Sequence, residues 1–169
     1  LENFKNQIGL FKSPKGVYIF PKFLQTLNQR QIVSGYAEII KHALIADKDY
    51  WQLLIETSIE NINWEETIYH SVTLKNDIVE SDPFEENKRK ILNFGHTLGH
   101  AIESYYLNKE KDILHGEAIA LGMYLETKLS PLNIEKKKEI QDYLKSNFNL
   151  MDYPSLEQLL PFLKNDKKN

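Results

Sequence analysis

The sequence predicts a mainly α fold, a multi-helical array with at most one short strand, and three observations predict it. Apolar residues recur at three- and four-residue spacing along most of the chain. Proline-containing breaks, at Pro21, Ser81-Asp82-Pro83 and Pro131, cut that pattern into helix-sized pieces. Only the run VYIF, residues 17–20 between Gly16 and Pro21, has the β-branched and aromatic composition of a strand.

Taken in order, residues 1–34 carry turn signals at Gly9, Pro14, Gly16 and Pro21, and Pro21 sits where a helix can start, with FLQTL following. Ile39, Ile40, Ala43 and Leu44 line one helix face; Leu53, Leu54 and Ile55, with Ile59 nearby, line another. Residues 64–80 are periodic through Ile68, Val72, Leu74, Ile78 and Val79. Residues 96–107 and 116–129 read as helices joined by the polar NKEKDI. A Lys-rich helix is expected at 135–146 and a short amphipathic one at 155–164.

Composition narrows the function classes. At 169 residues, 41% hydrophobic and 27% charged, the chain suits one globular domain. A net charge of −3 supplies no basic excess to bind a phosphate backbone, so neither nucleic acid nor a membrane surface is the expected partner. No apolar run approaches the ~20 residues of a membrane helix, no signal peptide opens the chain, and a cytoplasmic protein is expected. The ends at Leu1 and KNDKKN read like those of a domain cut from a longer protein. There is no cysteine, so any metal must be held by His, Asp or Glu.

Three of the five histidines, His96, His100 and His115 (the others are His42 and His70), fall in two glycine-containing segments, NFGHTLGH and LHGEAIALGM. His96 and His100 are four apart and share a helix face. Gly95, Gly99 and Gly116 beside them leave room for backbone or ligand to approach. A lone HxxxH is more often a pair of core histidines at a helix start than a metal site, with Asn93 placed to cap that helix. In SGYAEIIKHALI, Glu38 and Lys41 lie three apart on an otherwise apolar face; the plain reading is a surface ion pair. Glu38 with two histidines is also the best zinc set the chain offers, two His and one Glu with an open position. Lys41, Lys75, Arg89 and His100 can together neutralise an anionic substrate, Arg89 by a forked contact.

The segments SGYAEIIKHALI, DPFEENKRKILNFGHTLGHAIE and LHGEAIALGM, in this order, with KNQIG near the start and KNDKKN at the end, resemble the dehydroquinate synthases over essentially the whole chain. The resemblance implies a phosphate-eliminating lyase that converts 3-deoxy-D-arabino-heptulosonate 7-phosphate to 3-dehydroquinate in the shikimate pathway, toward chorismate and the aromatic amino acids. It implies catalytic NAD and one divalent metal, Zn2+ or Co2+, held by Glu38, His96 and His115. Asn6, Asn93 and His100 match phosphate-side contacts, His100 also a proton relay. Lys41 matches a hydroxyl contact, and Lys75 and Arg89 match carboxylate contacts. A terminal lysine falls at Lys167 or Lys168. Lys5, Phe23, Leu24, Gln25 and Thr26 match the small part of the NAD contact made from this side.

Pro83 and Asn87 stand where the family often has Glu and Gly, and Asn suits the left-handed backbone such a glycine position demands. Gln31 stands for a common Glu near the cofactor. No βαβ unit with a glycine-rich phosphate loop occurs here. The resemblance therefore implies an N-terminal, Rossmann-like NAD domain outside this chain, with residues 1–169 as one metal- and substrate-binding domain, inactive alone and homodimeric in the full-length form. Other sugar-phosphate cyclases (2-deoxy-scyllo-inosose or epi-valiolone type), a metal-dependent alcohol dehydrogenase of the glycerol dehydrogenase kind, and a helical binding module without chemistry are the competing readings.

Overall fold

A computed structural model describes residues 12, 14–150 and 152–164. Among the described residues seven α-helices carry the fold: α1 (Gln29–Ala46), α2 (Lys48–Glu56), α3 (Trp64–Ser81), α4 (His96–Asn108), α5 (His115–Leu129), α6 (Ile134–Asn147) and α7 (Leu156–Leu163). Short 3-10 turns cover Pro21–Thr26, Ile59–Asn61 and Lys88–Asn93. Among the described residues there is no strand. Residues 17–20 run without strand partners and are exposed, because an isolated extended segment has no neighbouring strand to take its backbone hydrogen bonds. No described helix is long and apolar enough to cross a membrane.

Helix α5 is the centre. Its run from Ala118 to Tyr124 is buried on every side, as expected of a helix apolar all round. It packs on α1, α4 and α6, while α2 and α3 flank α1 and α7 covers α4. Tyr36 and Ile40 of α1, Ile102 of α4 and Ile119, Leu121 and Met123 of α5 form the fully buried heart of the core. The Lys-rich α6 offers little besides Ile140 and Leu144 to it.

Five helices start on their own polar cap. Asn28, Asp47, Asn63, Asn133 and Ser155 each accept a backbone N–H from the first turn of α1, α2, α3, α6 and α7. The two exceptions are α4, preceded by Gly95, and α5, preceded by Leu114. These are the helices whose first residues are His96 and His115.

Candidate metal centre

Helices α4 and α5 bring three imidazoles together. The ring centre of His96 lies 5.2 Å from that of His100 and 5.7 Å from that of His115, and His100 and His115 are 5.8 Å apart. One ring nitrogen from each can be chosen so that all three lie within 4.8 Å of one another. The His96 side chain is nearly buried, whereas that of His115 is 43% exposed, so the cluster opens to solvent on the α5 side.

Helix α1 delivers a carboxylate to one of these rings, that of His96. Glu38 Oε1 lies 3.4 Å from His96 Nε2, and Glu38 Oε2 accepts from Lys41 Nζ at 2.7 Å. Burial pushes the Glu38 carboxyl up, but the Lys41 ammonium and its hydrogen bond more than offset this and hold it below its usual range. Burial, with the Lys41 charge next, lowers His96 to about 4, so the ring is neutral at pH 7. Its Nδ1 lies 3.2 Å from the Phe94 carbonyl oxygen and donates to it, which leaves the Nε2 lone pair facing Glu38. Two acceptor atoms thus confront each other, and Oε1 is buried without a hydrogen-bond partner. A buried acceptor left unpaired costs about 1–3 kcal/mol, and a cation between the two atoms removes that cost. His115 is prepared in the same way: Glu103 Oε2, 3.1 Å from Nδ1, takes that proton and leaves Nε2 for a ligand. One carboxylate oxygen and two imidazole nitrogens, with no thiolate, fit a divalent ion such as zinc.

The family described as 3-dehydroquinate synthase C-terminal matches residues 35–169. The chain belongs to the 3-dehydroquinate synthase family. It is 40% identical over 177 residues to the 3-dehydroquinate synthase of Parabacteroides distasonis, an alignment covering 98% of this chain and 49% of that protein. The 3-dehydroquinate synthase of Lactococcus lactis is also 40% identical, over 97% of this chain and 49% of its own length. A bifunctional 3-dehydroquinate synthase/phosphatase of Fusobacterium nucleatum is 36% identical over 98% of this chain and 26% of its length. The chain therefore spans about half the length of the first two relatives.

The mainly α fold expected of this dehydroquinate synthase domain is the one observed. Other expectations for its site residues change in detail. The Glu38–Lys41 pair forms, but Lys41 is 3% exposed, so it is an internal pair and not a surface one. The residue at the start of α4 is Gly95, not Asn93, whose Nδ2 donates to Glu85 Oε1 at 2.7 Å. Asn87 has φ −137°, so the left-handed backbone of this loop falls on Glu85, at φ 60°. The room beside Gly95 and Gly116 goes to neighbouring protein, with no gap for a ligand. A Cβ on Gly95 would sit 2.4 Å from Met123 Cγ, and one on Gly116 would sit 1.8 Å from the Ser34 carbonyl oxygen.

Lys75 is exposed on α3, close enough to His42 for its charge to help lower that ring, after burial and Lys41. Arg89 Nη1 donates to the Pro83 carbonyl at 2.8 Å. Asp82 staples this loop by accepting from the N–H groups of Glu86, Asn87 and Arg89. Phe23, Leu24, Gln25 and Thr26 form the 3-10 turn against α3, with Phe23 73% exposed. Lys5, Asn6, Lys167 and Lys168 lie outside the described residues. His70 stays apart from the cluster, bonded to Asp47 at 2.9 Å.

Four features of the site escaped sequence reasoning. Glu103 lies one helical turn beyond His100, a spacing that signals a partner. Glu126 is the lone acid in the apolar stretch AIALGMYLE of α5. Its Oε2 accepts the Gly95 N–H at 2.7 Å and its Oε1 the Leu98 N–H at 3.3 Å; burial pushes this carboxyl up while those bonds oppose the shift. His42 Nδ1 meets Ser71 Oγ at 2.7 Å, and burial lowers His42 to about 4. Arg30 of α1 forks onto Glu117 at 2.6 and 2.7 Å, and Glu117 in turn accepts the Leu114 N–H at 2.8 Å, tying α1 to the start of α5.

Proposed function

We propose that this chain is the metal- and substrate-binding domain of a cytoplasmic, homodimeric 3-dehydroquinate synthase. The full-length protein is a lyase acting on 3-deoxy-D-arabino-heptulosonate 7-phosphate and releasing phosphate, with NAD held chiefly by an N-terminal domain outside this chain. The observation that carries the reading is the confrontation of Glu38 Oε1 and His96 Nε2 at 3.4 Å beside His115, in a chain of this family.

On this reading Glu38, His96 and His115 hold the metal, zinc or cobalt. When bound, the metal supplies Lewis acidity at substrate hydroxyls and NAD supplies hydride exchange. The remaining residues bind and orient. Lys41, locked on Glu38, contacts a substrate hydroxyl; Lys75 and Arg89 take the substrate carboxylate; Asn93, Asn6 and His100 take the phosphate side. His100 stands in van der Waals range of both other rings, and on this reading it relays a proton on the phosphate side of the substrate. Phe23, Leu24, Gln25, Thr26 and Lys5 complete the NAD contact. A cyclase of different outcome would dispense with the carboxylate, and the presence of Arg89 and Lys75 disfavours it.

The grouping of three ring nitrogens within 4.8 Å favours one second reading, a three-histidine site that includes His100 in place of Glu38. Zinc affinity and phosphate release, measured on the full-length protein, separate the two. Under the proposal, Glu38→Gln weakens zinc binding by about a hundredfold, and His100→Asn keeps zinc but loses turnover. The reverse pattern establishes the three-histidine site. A wild-type protein that binds zinc and NAD yet releases no phosphate from the sugar phosphate overturns the function.

A further inference from the structure

The starts of α4 and α5 set where His96 and His115 point, and neither start is capped by its own preceding residue. For α4 the reason is steric. Gly95 has φ 77°, and a Cβ there would meet Met123 Cγ at 2.4 Å and the Ile119 carbonyl oxygen at 2.9 Å. No Ser, Thr, Asp or Asn can occupy that position, so its first-turn N–H groups must find an acceptor on another element. Glu126 supplies it from α5, one oxygen on the Gly95 N–H and the other on the Leu98 N–H. These two N–H groups bracket His96, and the acceptor belongs to the helix that begins with His115.

We propose that Glu126 is a positioning residue of the metal centre, holding the first turn of α4 so that His96 Nε2 faces Glu38 Oε1 beside the His115 ring. The inference rests on the reading that those three residues hold the metal. Glu126 touches neither metal nor substrate; it acts through His96. The His96 ring has one further tether, its Nδ1 contact with Phe94 O. Phe94 adjoins Gly95, so that tether depends on the same turn. Loss of the Glu126 carboxylate frees both the backbone and the ring support of one ligand while leaving Glu103 on His115 and Lys41 on Glu38 in place.

The test uses the full-length protein with Glu126→Gln, Glu126→Ala and, as a stability control away from the site, Tyr143→Phe. Tyr143 hydrogen-bonds Tyr36 and the Leu54 carbonyl in the core, so its loss lowers Tm without touching α4. Zinc affinity is read by competition titration and site geometry by the visible spectrum of the cobalt-substituted protein. Glu126→Ala is expected to weaken zinc about ten- to hundredfold and to alter the cobalt spectrum. Glu126→Gln, with one acceptor oxygen left, falls between, and it carries the test if the alanine variant does not fold. Tyr143→Phe lowers Tm and leaves zinc affinity unchanged. Glu126 variants that bind zinc within about twofold of wild type, with an unchanged cobalt spectrum, overturn the proposal. So does a Tyr143→Phe protein that loses as much zinc affinity at equal Tm loss. A wild-type protein without a zinc site at all overturns the underlying assignment as well, which separates the two failures.

Discussion

Glu103 Oε2 lies 3.1 Å from His115 Nδ1, and this carboxylate of α4 is buried while the imidazole of α5 is half exposed. The bond fixes the tautomer of a ring that would otherwise rotate freely at the site mouth. Glu103→Ala is expected to lower zinc affinity about ten- to hundredfold, and Glu103→Gln less, because an amide oxygen still accepts the Nδ1–H. Competition titration with a chelator of known affinity checks this. Equal affinity in all three proteins would mean that His115 is oriented by something else.

Metal-free protein is expected to lose stability as the pH falls below about 6.5. Burial, with the Lys41 charge next, holds both His42 and His96 near 4, against 6.5 for a free imidazole. Between those two values the unfolded chain takes up protons that the folded chain refuses, so each ring favours the folded state above the window and stops doing so below it. The shift corresponds to at most about 3 kcal/mol for each histidine. Glu126, pushed up by burial, works in the opposite direction, one group against two. Urea midpoints in the presence of a chelator should therefore fall between pH 7 and pH 4.5; a flat profile contradicts the burial of these rings.

Gly116→Ala should be strongly destabilising. Its added Cβ would stand 1.8 Å from the Ser34 carbonyl oxygen and 2.5 Å from the carbonyl carbon, both backbone atoms of α1. The Gly116 N–H also donates to Ser34 Oγ at 3.0 Å, so α1 cannot back away without losing that bond. Overpacking against backbone costs on the order of 3 kcal/mol, and the denaturant midpoint reads it. Because α1 carries Glu38 and α5 carries His115, the surviving folded protein should also bind zinc more weakly.

Much of the fold was legible because helical periodicity and breakers are local signals. The stretch 64–80 became α3 within a residue, and Pro131 separates α5 from α6 as its missing N–H requires. Caps such as Asn63 and Ser155 stand directly before their helices. The run at 17–20 misled for a physical reason: strand composition is a preference for a pleated, half-buried surface, and these described residues have no strand beside them. The candidate site was legible as residue types, with His96, His100, His115, Glu38 and Lys41 all named from their segments. Their supports were not, because Glu126 and Gly95 are 31 positions apart and Arg30 and Glu117 are 87 apart.

By itself, the sequence determined which chemistry is open to this protein. Without cysteine, a metal must take His, Asp or Glu, and the motif segments identify the family before any coordinate is known. Only the tertiary structure decided which atoms face which: that Glu38 Oε1 meets His96 Nε2, that Lys41 is buried, that Asn93 Nδ2 donates to Glu85, and that Glu126 accepts the Gly95 N–H at the start of α4. The reason lies in range. Propensity, capping and periodicity act over one or two turns of chain, whereas desolvation and lone-pair direction depend on helices that meet only when the core closes.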